Sequence, residues 1–108
     1  MISRHWKGVA KVEEANNYID HLQRETFPAI REIDGFIDAS ILNRATESGV
    51  EFLVVTRWRS MDAIRHFAGE STNVAVVPMA VQAMMVEYDK RVEHYEVVDE
   101  FDGSAPVE

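Results

Sequence analysis

The chain contains segments in which apolar and polar residues alternate with the two-residue period of a β-strand. Residues 2–9 alternate loosely and predict a first strand. Residues 36–44 and 50–58 predict two further strands, which Glu47, Ser48 and Gly49 join as a hairpin turn. Residues 92–98 predict the last strand.

Two other segments carry apolar residues at the three- and four-residue steps of a helix. The first predicted helix follows this stripe: Val12, Ala15, Ile19, Leu22, Thr26, Ile30 and Ile33. Pro28 should end or kink it near Phe27, and Asp34 and Gly35 then form a turn. Ser60 is a good N-cap for a second helix over residues 61–68, which Gly69 stops. A looser helical piece is predicted over residues 71–87, interrupted by Pro78.

The predicted order is β-α-β-β-α-β, which is the split βαβ arrangement of ferredoxin-like α+β domains. Its sheet is antiparallel, with both helices on one face. We expect one domain over residues 1–98, and a frayed tail over the acidic residues 99–108.

Apolar residues on both faces of the predicted second and third strands indicate that the face without helices is also covered. In the second strand, Ile37, Ala39 and Ile41 make one face wholly apolar, opposite Phe36 and Leu42. In the third, both alternating sets begin with apolar residues: Phe52, Val54, Thr56 and Trp58 on one face and Leu53, Val55 and Arg57 on the other. Since soluble monomers rarely expose such a patch, we expect a homodimer that pairs through the sheet.

Composition narrows the classes of function. The chain has 108 residues, a formal net charge of -8 and no cysteine. An acidic chain without a basic patch is a poor ligand for nucleic acid or for an anionic membrane. The absence of cysteine excludes thiolate chemistry and fits a cytoplasmic location, and no apolar run reaches the length of a membrane span.

Three segments resemble one family, the antibiotic biosynthesis monooxygenase superfamily of dimeric α/β barrels. They are IDGF at residues 33–36, EFLVVTRWRS running into MDAIRHF at residues 51–67, and EHYEVV at residues 93–98. The resemblance spans residues 2–98. It implies this fold, a homodimer, and a function among cofactor-free oxygenases of phenols and quinols, heme-degrading oxygenases and proteins without known activity.

The heme-degrading branch of that superfamily has a residue pattern that this chain lacks. That branch uses an Asn on the first strand, a Trp on the helix after the W-x-S step, and an iron-ligating His about ten residues later. The first strand here offers Ser3, Arg4, His5 and Trp6 instead. The helix position is Phe67, and the histidine position falls near Val77. The resemblance therefore disfavours heme degradation, while another His as heme ligand stays open.

Five residues are candidates for the site of an oxygenase. His66, on the second predicted helix, is a residue type that acts as a general base toward a phenol, although a solvent-facing histidine paired with Glu70 is the simpler interpretation. Arg4 is suited to stabilise a phenolate or enolate. Trp6 and Trp58, on strands that we expect to be adjacent and parallel, are candidates with Phe67 for binding a flat substrate, or else for core packing.

The remaining histidines give only weak evidence for a functional site. His5 and His94 lie on the first and last strands, which are neighbours in this topology, and with Glu93 or Glu96 they suggest a metal site. No dense ligand spacing supports it, so we predict no metal and no cofactor. His21 is predicted to lie on the surface.

Three functions follow as alternatives. The first is a cofactor-independent monooxygenase of a small aromatic quinol or phenol, with His66 and Arg4 as catalytic residues and Trp6, Trp58 and Phe67 binding the substrate. The second is a non-catalytic dimer that binds a small apolar or aromatic molecule in a cavity without perturbed titrating groups. The third is a heme-binding oxygenase with an unusual ligand.

Overall fold

The chain folds as an α+β domain in which helical segments cover one face of a five-stranded antiparallel sheet. The structure is a computed structural model, and it describes residues 1–104. Its elements in chain order are β1 (Ile2–Ala10), α1 (Ala15–His21), α2 (Phe27–Arg31), β2 (Phe36–Ala45), β3 (Val50–Trp58), α3 (Met61–Ala68), α4 (Met79–Gln82), β4 (Met85–Tyr88) and β5 (Glu93–Glu96). This arrangement confirms the predicted ferredoxin-like class.

The sheet is built around β1. β3 pairs with one edge of β1 along its whole length, and β2 continues the sheet beyond β3. The other edge of β1 is shared: β5 pairs with Ile2–His5 and β4 with Gly8–Ala10. β1 and β3 are antiparallel, so the expectation that Trp6 and Trp58 lie on parallel strands was wrong. The register places Trp58 opposite Ile2 and Val54 opposite Trp6.

The first helical region continues past Pro28 instead of ending at Phe27. A 3₁₀ turn (Val12–Glu14) leads into α1, and a π-helical turn (Leu22–Thr26) joins α1 to α2. Pro28 then lies in the first turn of α2, where its missing N–H costs least. A π turn widens the helix by one residue per hydrogen-bonded ring, and such turns occur frequently at functional sites.

Of the helical piece predicted over residues 71–87, only α4, directly after Pro78, is present. Residues 69–78, which we call the covering loop, are irregular, α4 has only four residues, and Met85 begins a strand. The covering loop is instead held by backbone pairing with the segment before β5: Ala75 N–H donates to Lys90 O and Val92 N–H to Asn73 O, both at 2.9 Å. β4 pairs with the backbone N–H and C=O groups at the edge of β1, which would otherwise stay unpaired. This pairing outweighs the helical spacing of the sequence in that segment.

The predicted cap, stop and hairpin are present. The Ser60 hydroxyl accepts from Ala63 N–H at 3.2 Å, and Gly69 ends α3 with φ 81°. Thr46 N–H donates to Gly49 O at 2.8 Å and closes the hairpin between β2 and β3.

A β-bulge near the start of β2 changes which of its side chains face the helices. β3 alternates as predicted, with Phe52, Val54, Thr56 and Trp58 buried. In β2, however, Phe36 pairs with Trp58, and the register then shifts so that Ile41 pairs with Val54. Phe36, Ala39 and Ile41 therefore share the helix-covered face, and Ser40 and Leu42 face the other side. The predicted wholly apolar face of Ile37, Ala39 and Ile41 was wrong, because one extra residue at a bulge inverts the alternation beyond it.

Residues 97–104 follow β5 without regular structure, and Arg57 forms an ion pair there with Glu100. The rest of the predicted tail, residues 105–108, lies outside the described residues. Within residues 1–104, every helix is too short or too polar to meet the requirements of a membrane crossing.

Gly8 makes room for the indole of Trp6, and this contact yields a stability prediction. A Cβ at residue 8 would lie 2.5 Å from the Trp6 ring, so we expect Gly8→Ala to lower the free energy of unfolding by about 1–3 kcal/mol. Urea unfolding measures it. Gly103→Ala, which meets no atom within 4 Å, is the control. Trp6→Phe in the Gly8→Ala background should recover part of the loss, and additive effects of the two changes would contradict the proposed clash.

Candidate functional site

A small cavity lies between the helices and the sheet, and its volume is about 70 Å³. Four aromatic rings, five aliphatic side chains and three polar side chains line it: Trp6, Tyr18, Phe27 and Phe67; Leu22, Ile30, Val54, Val76 and Val92; Arg4, Thr26 and Thr56. The walls come from β1, β3, the helical segments over residues 15–31, α3, the covering loop and Val92, which directly precedes β5. Apolar walls with a few convergent polar groups are typical of a small-molecule site.

Among residues 1–104, the guanidinium of Arg4 is the one charged group that lines this cavity, and Arg4 is only 4% exposed. It donates to Thr72 O, to Val74 O at 3.1 Å and to His94 Nε2 at 2.9 Å. It also lies 5.6 Å from the centre of the Phe67 ring. No carboxylate pairs with it among residues 1–104. Burial lowers the pKa of Arg4 to about 10, so the group stays cationic at neutral pH and lacks a counter-ion.

Phe67 is held in place by a stack of aromatic rings. Trp58, which is fully buried, stacks against Phe67 with ring centres 5.8 Å apart and meets Phe36 edge-on at 5.2 Å. The Trp58 indole N–H donates to the Thr56 hydroxyl at 2.9 Å. Trp58 therefore supports the cavity wall from behind, whereas Phe67 forms the wall itself.

Trp6 and Tyr18 form the other end of the cavity. The Trp6 indole N–H donates to Asp89 O at 2.8 Å, and its ring lies 6.0 Å from that of Tyr18. Tyr18 is 3% exposed and packs edge-on against Phe52. Its hydroxyl has no hydrogen-bond partner among residues 1–104, and burial raises its pKa. Tyr18 is therefore a neutral hydrogen-bond donor that is available to a ligand.

The three hydroxyl groups of the site were not identified from the sequence. Tyr18 lies three residues after Ala15 and four before Leu22, so the helical spacing could have predicted that it faces the sheet with them. Thr26 appeared as a member of that stripe, and it reaches the cavity from the last residue of the π turn. Thr56 was predicted to share a face of β3 with Phe52, Val54 and Trp58, as it does, but nothing in its pattern distinguishes a cavity wall from solid core.

A larger groove of about 430 Å³ lies on the outer side of the same wall. His66 and His21 line this groove, and four residues are shared with the inner cavity: Thr26, Ile30, Phe67 and Val76. His66 is exposed and forms no ion pair with Glu70 among the described residues. The structure thus brings Arg4, Trp6 and Phe67 together in the cavity and places His66 outside it, beyond a wall one side chain thick.

His5 and His94 do not come together. Arg4 and His94 are cross-strand partners, so His94 faces the cavity side of the sheet, and the adjacent His5 faces the opposite side. There His5 lies 2.8 Å from the Ser3 hydroxyl and packs on the Tyr95 ring. No three metal-ligating side chains gather within residues 1–104.

The cavity does not fit heme. A volume of about 70 Å³ is a small fraction of what a porphyrin occupies. No histidine lines this cavity among the described residues.

Comparison with solved structures confirms the fold. A putative antibiotic biosynthesis monooxygenase from Bacillus cereus superposes with a TM-score of 0.69 at 20% identity, covering 97% of this chain and 98% of that one. A Streptomyces coelicolor monooxygenase in complex with nanaomycin D gives 0.65 at 16% identity, covering 95% and 92%. A heme-degrading protein from Mycobacterium tuberculosis gives 0.58 at 17% identity, covering 95% and 98%.

The expected resemblance to antibiotic biosynthesis monooxygenases is therefore confirmed at the level of the fold. No family model matches the sequence, and no curated protein matches it.

Two histidines on β1 and β5 should make stability depend on pH. Burial, and then the charge of Arg4, lower the pKa of His94. Burial lowers the pKa of His5, against an opposing effect of Glu93. The unfolded chain therefore takes up protons at a higher pH than the folded chain. Stability is complete above the unfolded pKa of about 6.5, and it falls with pH down to the lowered folded pKa.

We expect the urea midpoint to drop as the pH falls through about 6.5 toward the lowered pKa values of the folded chain. His94→Gln and His5→Gln should each flatten this dependence, and the double variant should flatten it further. An unchanged slope in the double variant would contradict the assignment.

Proposed function

We propose that this protein is a cofactor-independent monooxygenase that acts on the anionic form of a small aromatic quinol or phenol. The observation that carries the proposal is Arg4, a buried cation that pairs with no carboxylate of residues 1–104, in a cavity walled by aromatic rings. Burying an unpaired charge is costly, so a site of this kind favours a ligand that brings the missing negative charge.

The reaction needs an electron-rich substrate rather than a resident cofactor. A quinol deprotonated to its anion supplies electrons to O₂. One oxygen atom forms a bond to a ring carbon in place of hydrogen, the ring is oxidised to a hydroxyquinone, and the second oxygen atom leaves as water. The protein contributes a dry cavity and a preorganised positive charge that stabilises the anion.

Each group of the site has a role in this proposal. Arg4 stabilises the anionic oxygen, and the Tyr18 hydroxyl donates a hydrogen bond to it. Trp6 and Phe67 contact the faces of the ring, while Trp58 holds Phe67 in place. His66 takes the proton from the part of the substrate that lies in the outer groove.

The size of the inner cavity determines how the substrate binds. A volume of about 70 Å³ accepts little more than one polar end of an aromatic molecule, whereas the adjoining groove of about 430 Å³ accepts fused rings. Val76 separates the two on the covering loop and is 48% exposed. We propose that its displacement joins them, so that one substrate reaches both Arg4 and His66.

The alternative is a dimer that binds an aromatic anion without catalysis. The small volume of the inner cavity favours it, because that cavity leaves no evident space for O₂ beside a ligand. The hypothesis of a binding protein expected a cavity without perturbed titrating groups, whereas this cavity is lined by Arg4 and Tyr18, and burial shifts the pKa of both.

We also propose the homodimer, through the face of the sheet that the helices leave open. Leu53 lies at the centre of that face, between Lys7 on β1 and Leu42 on β2, and Val55 lies beside it. Leu42 and Tyr95 are 47% and 52% exposed. Burying these groups against a second copy would cover an apolar centre with a polar rim, which is the usual pattern of an interface. A cytoplasmic location stays a prediction from composition.

Oxygen uptake tests the proposed reaction. The purified protein, without added metal, flavin or heme, is assayed with dihydroxynaphthalene- and anthrone-type substrates against an autoxidation blank. Tyr18→Phe removes one hydrogen bond to an anion, so kcat/KM should fall about tenfold to a hundredfold. His66→Gln should lower kcat about a hundredfold or more.

His5→Gln, on the other face of the sheet, is the matched control and should retain activity. If oxygen uptake falls in Tyr18→Phe but not in His66→Gln, the oxygenase is supported and His66 is not the base. No uptake above the blank across the panel would contradict the oxygenase and favour the binding protein.

Sedimentation velocity tests the homodimer. Leu53→Glu buries a charge at the centre of the proposed interface and should yield a monomer at micromolar concentration. Val12→Glu, which changes a side chain that is 70% exposed before α1, should leave the dimer intact. A monomeric unsubstituted protein at the same concentration contradicts the proposal.

A further inference from the structure

The orientation of the Arg4 guanidinium depends on three acceptors from two parts of the chain. Two of them, Thr72 O and Val74 O, are backbone carbonyls of the covering loop. The third is His94 Nε2 at 2.9 Å from Arg4 Nη1, and it is the only side-chain acceptor for Arg4 among residues 1–104. His94 is therefore the one acceptor that a point substitution can remove or replace.

The sheet register fixes this contact. Arg4 and His94 are cross-strand partners of β1 and β5, so they project from the same face at the same level. Arginine is only a donor, which means that the Nε2 lone pair accepts and the imidazole proton resides on Nδ1. The imidazole in this arrangement is neutral.

We infer that His94 is a positioning residue for Arg4: as a neutral acceptor, it holds the guanidinium toward the cavity without cancelling its charge. This inference rests on the proposed function. His94 does not line the cavity, so it acts on a substrate only through Arg4.

The chemistry of the acceptor explains why a histidine is suited to this place. A carboxylate at residue 94 would also hold the guanidinium, but it would neutralise the charge that attracts an anionic substrate. The groups packed around the pair leave that charge uncompensated. Phe67 of α3 presents a ring, the covering loop presents carbonyls, and Glu96, farther along β5, is exposed and forms no ion pair within residues 1–104.

Protonation of His94 reverses the contact. The imidazolium donates from both nitrogens and carries a positive charge beside Arg4. Burial and the neighbouring guanidinium lower the pKa of His94, so the neutral form prevails at neutral pH. Binding of an aromatic anion should therefore change on the acid side through His94, because protonation takes the acceptor from Arg4 and adds a second positive charge beside it.

Three variants at residue 94 test the inference, with 2-naphthoate as the probe in calorimetric titrations. This probe is an aromatic anion without an oxidisable hydroxyl group, and 2-naphthalenemethanol is its uncharged counterpart. The unsubstituted protein should prefer 2-naphthoate. His94→Gln keeps a neutral acceptor and should bind it within about threefold, His94→Leu should lose about tenfold, and His94→Glu should lose more because it adds a counter-ion.

The pH dependence separates positioning from a merely structural role. The acid-side change in 2-naphthoate affinity should disappear in His94→Gln, which has no titrating group at residue 94. Nitrogen-15 NMR of the folded protein should show the Nδ1–H tautomer for His94 at neutral pH. An Nε2–H tautomer, or full 2-naphthoate affinity in His94→Glu, overturns the inference.

The result also distinguishes the two proposals. Preferential 2-naphthoate binding that depends on His94, without oxygen uptake on the panel, would leave the positioning role in place and reject the oxygenase. Failure of the unsubstituted protein to prefer 2-naphthoate over the alcohol would overturn the anion site and the role of His94 together. Circular dichroism of each variant confirms that the fold is retained.

Discussion

The burial of one positive charge governs the arrangement of the site. The guanidinium of Arg4 emerges from the central strand of the sheet into a space from which water is largely excluded, and it is satisfied there by neutral acceptors. Those acceptors tie the covering loop and β5 to β1. The hydrogen bonds that satisfy the guanidinium thus also hold the covering loop over the cavity. A change in the acceptors of Arg4 therefore changes both the charge of the cavity and the position of the loop.

The aromatic residues divide between support and contact. Phe36, Trp58 and Phe67 form a continuous stack from the start of β2 to α3, and only the last ring reaches the cavity. At the other end, Trp6 passes over Gly8 and approaches Tyr18. The fold therefore encloses the cation between two groups of rings, which favours a flat ligand that carries a negative charge.

The strong alternation of residues 50–58, the N-cap at Ser60 and the hairpin at Gly49 were sufficient to predict the ferredoxin-like order. Each of these features depends on a few residues that are close together in the chain, so the sequence alone can predict it.

The bulge after Phe36 was not predictable, because a single inserted residue leaves the apolar pattern of β2 intact while exchanging its faces. Residues 71–87 were misread as helix because their spacing is helical, whereas their partners lie elsewhere in the chain: the covering loop pairs with residues 90–92, and β4 pairs with the edge of β1. Arg4 and Phe67 were predicted as site residues from the sequence. The contact between Arg4 and His94 could not be predicted, because it depends on the register between β1 and β5, which only the structure gives.

The shared edge of β1 has an evolutionary consequence. Since β4 and β5 pair with different ends of that strand, the sheet is completed there by two short, separately connected segments. The four residues of β5 carry the acceptor for Arg4, whereas β4 supports the end that bears Gly8. Substitutions in β5 can therefore alter the charge of the site while the opposite end of the strand keeps its packing. A lineage with this fold can change its ligand chemistry through one short edge segment and retain the scaffold.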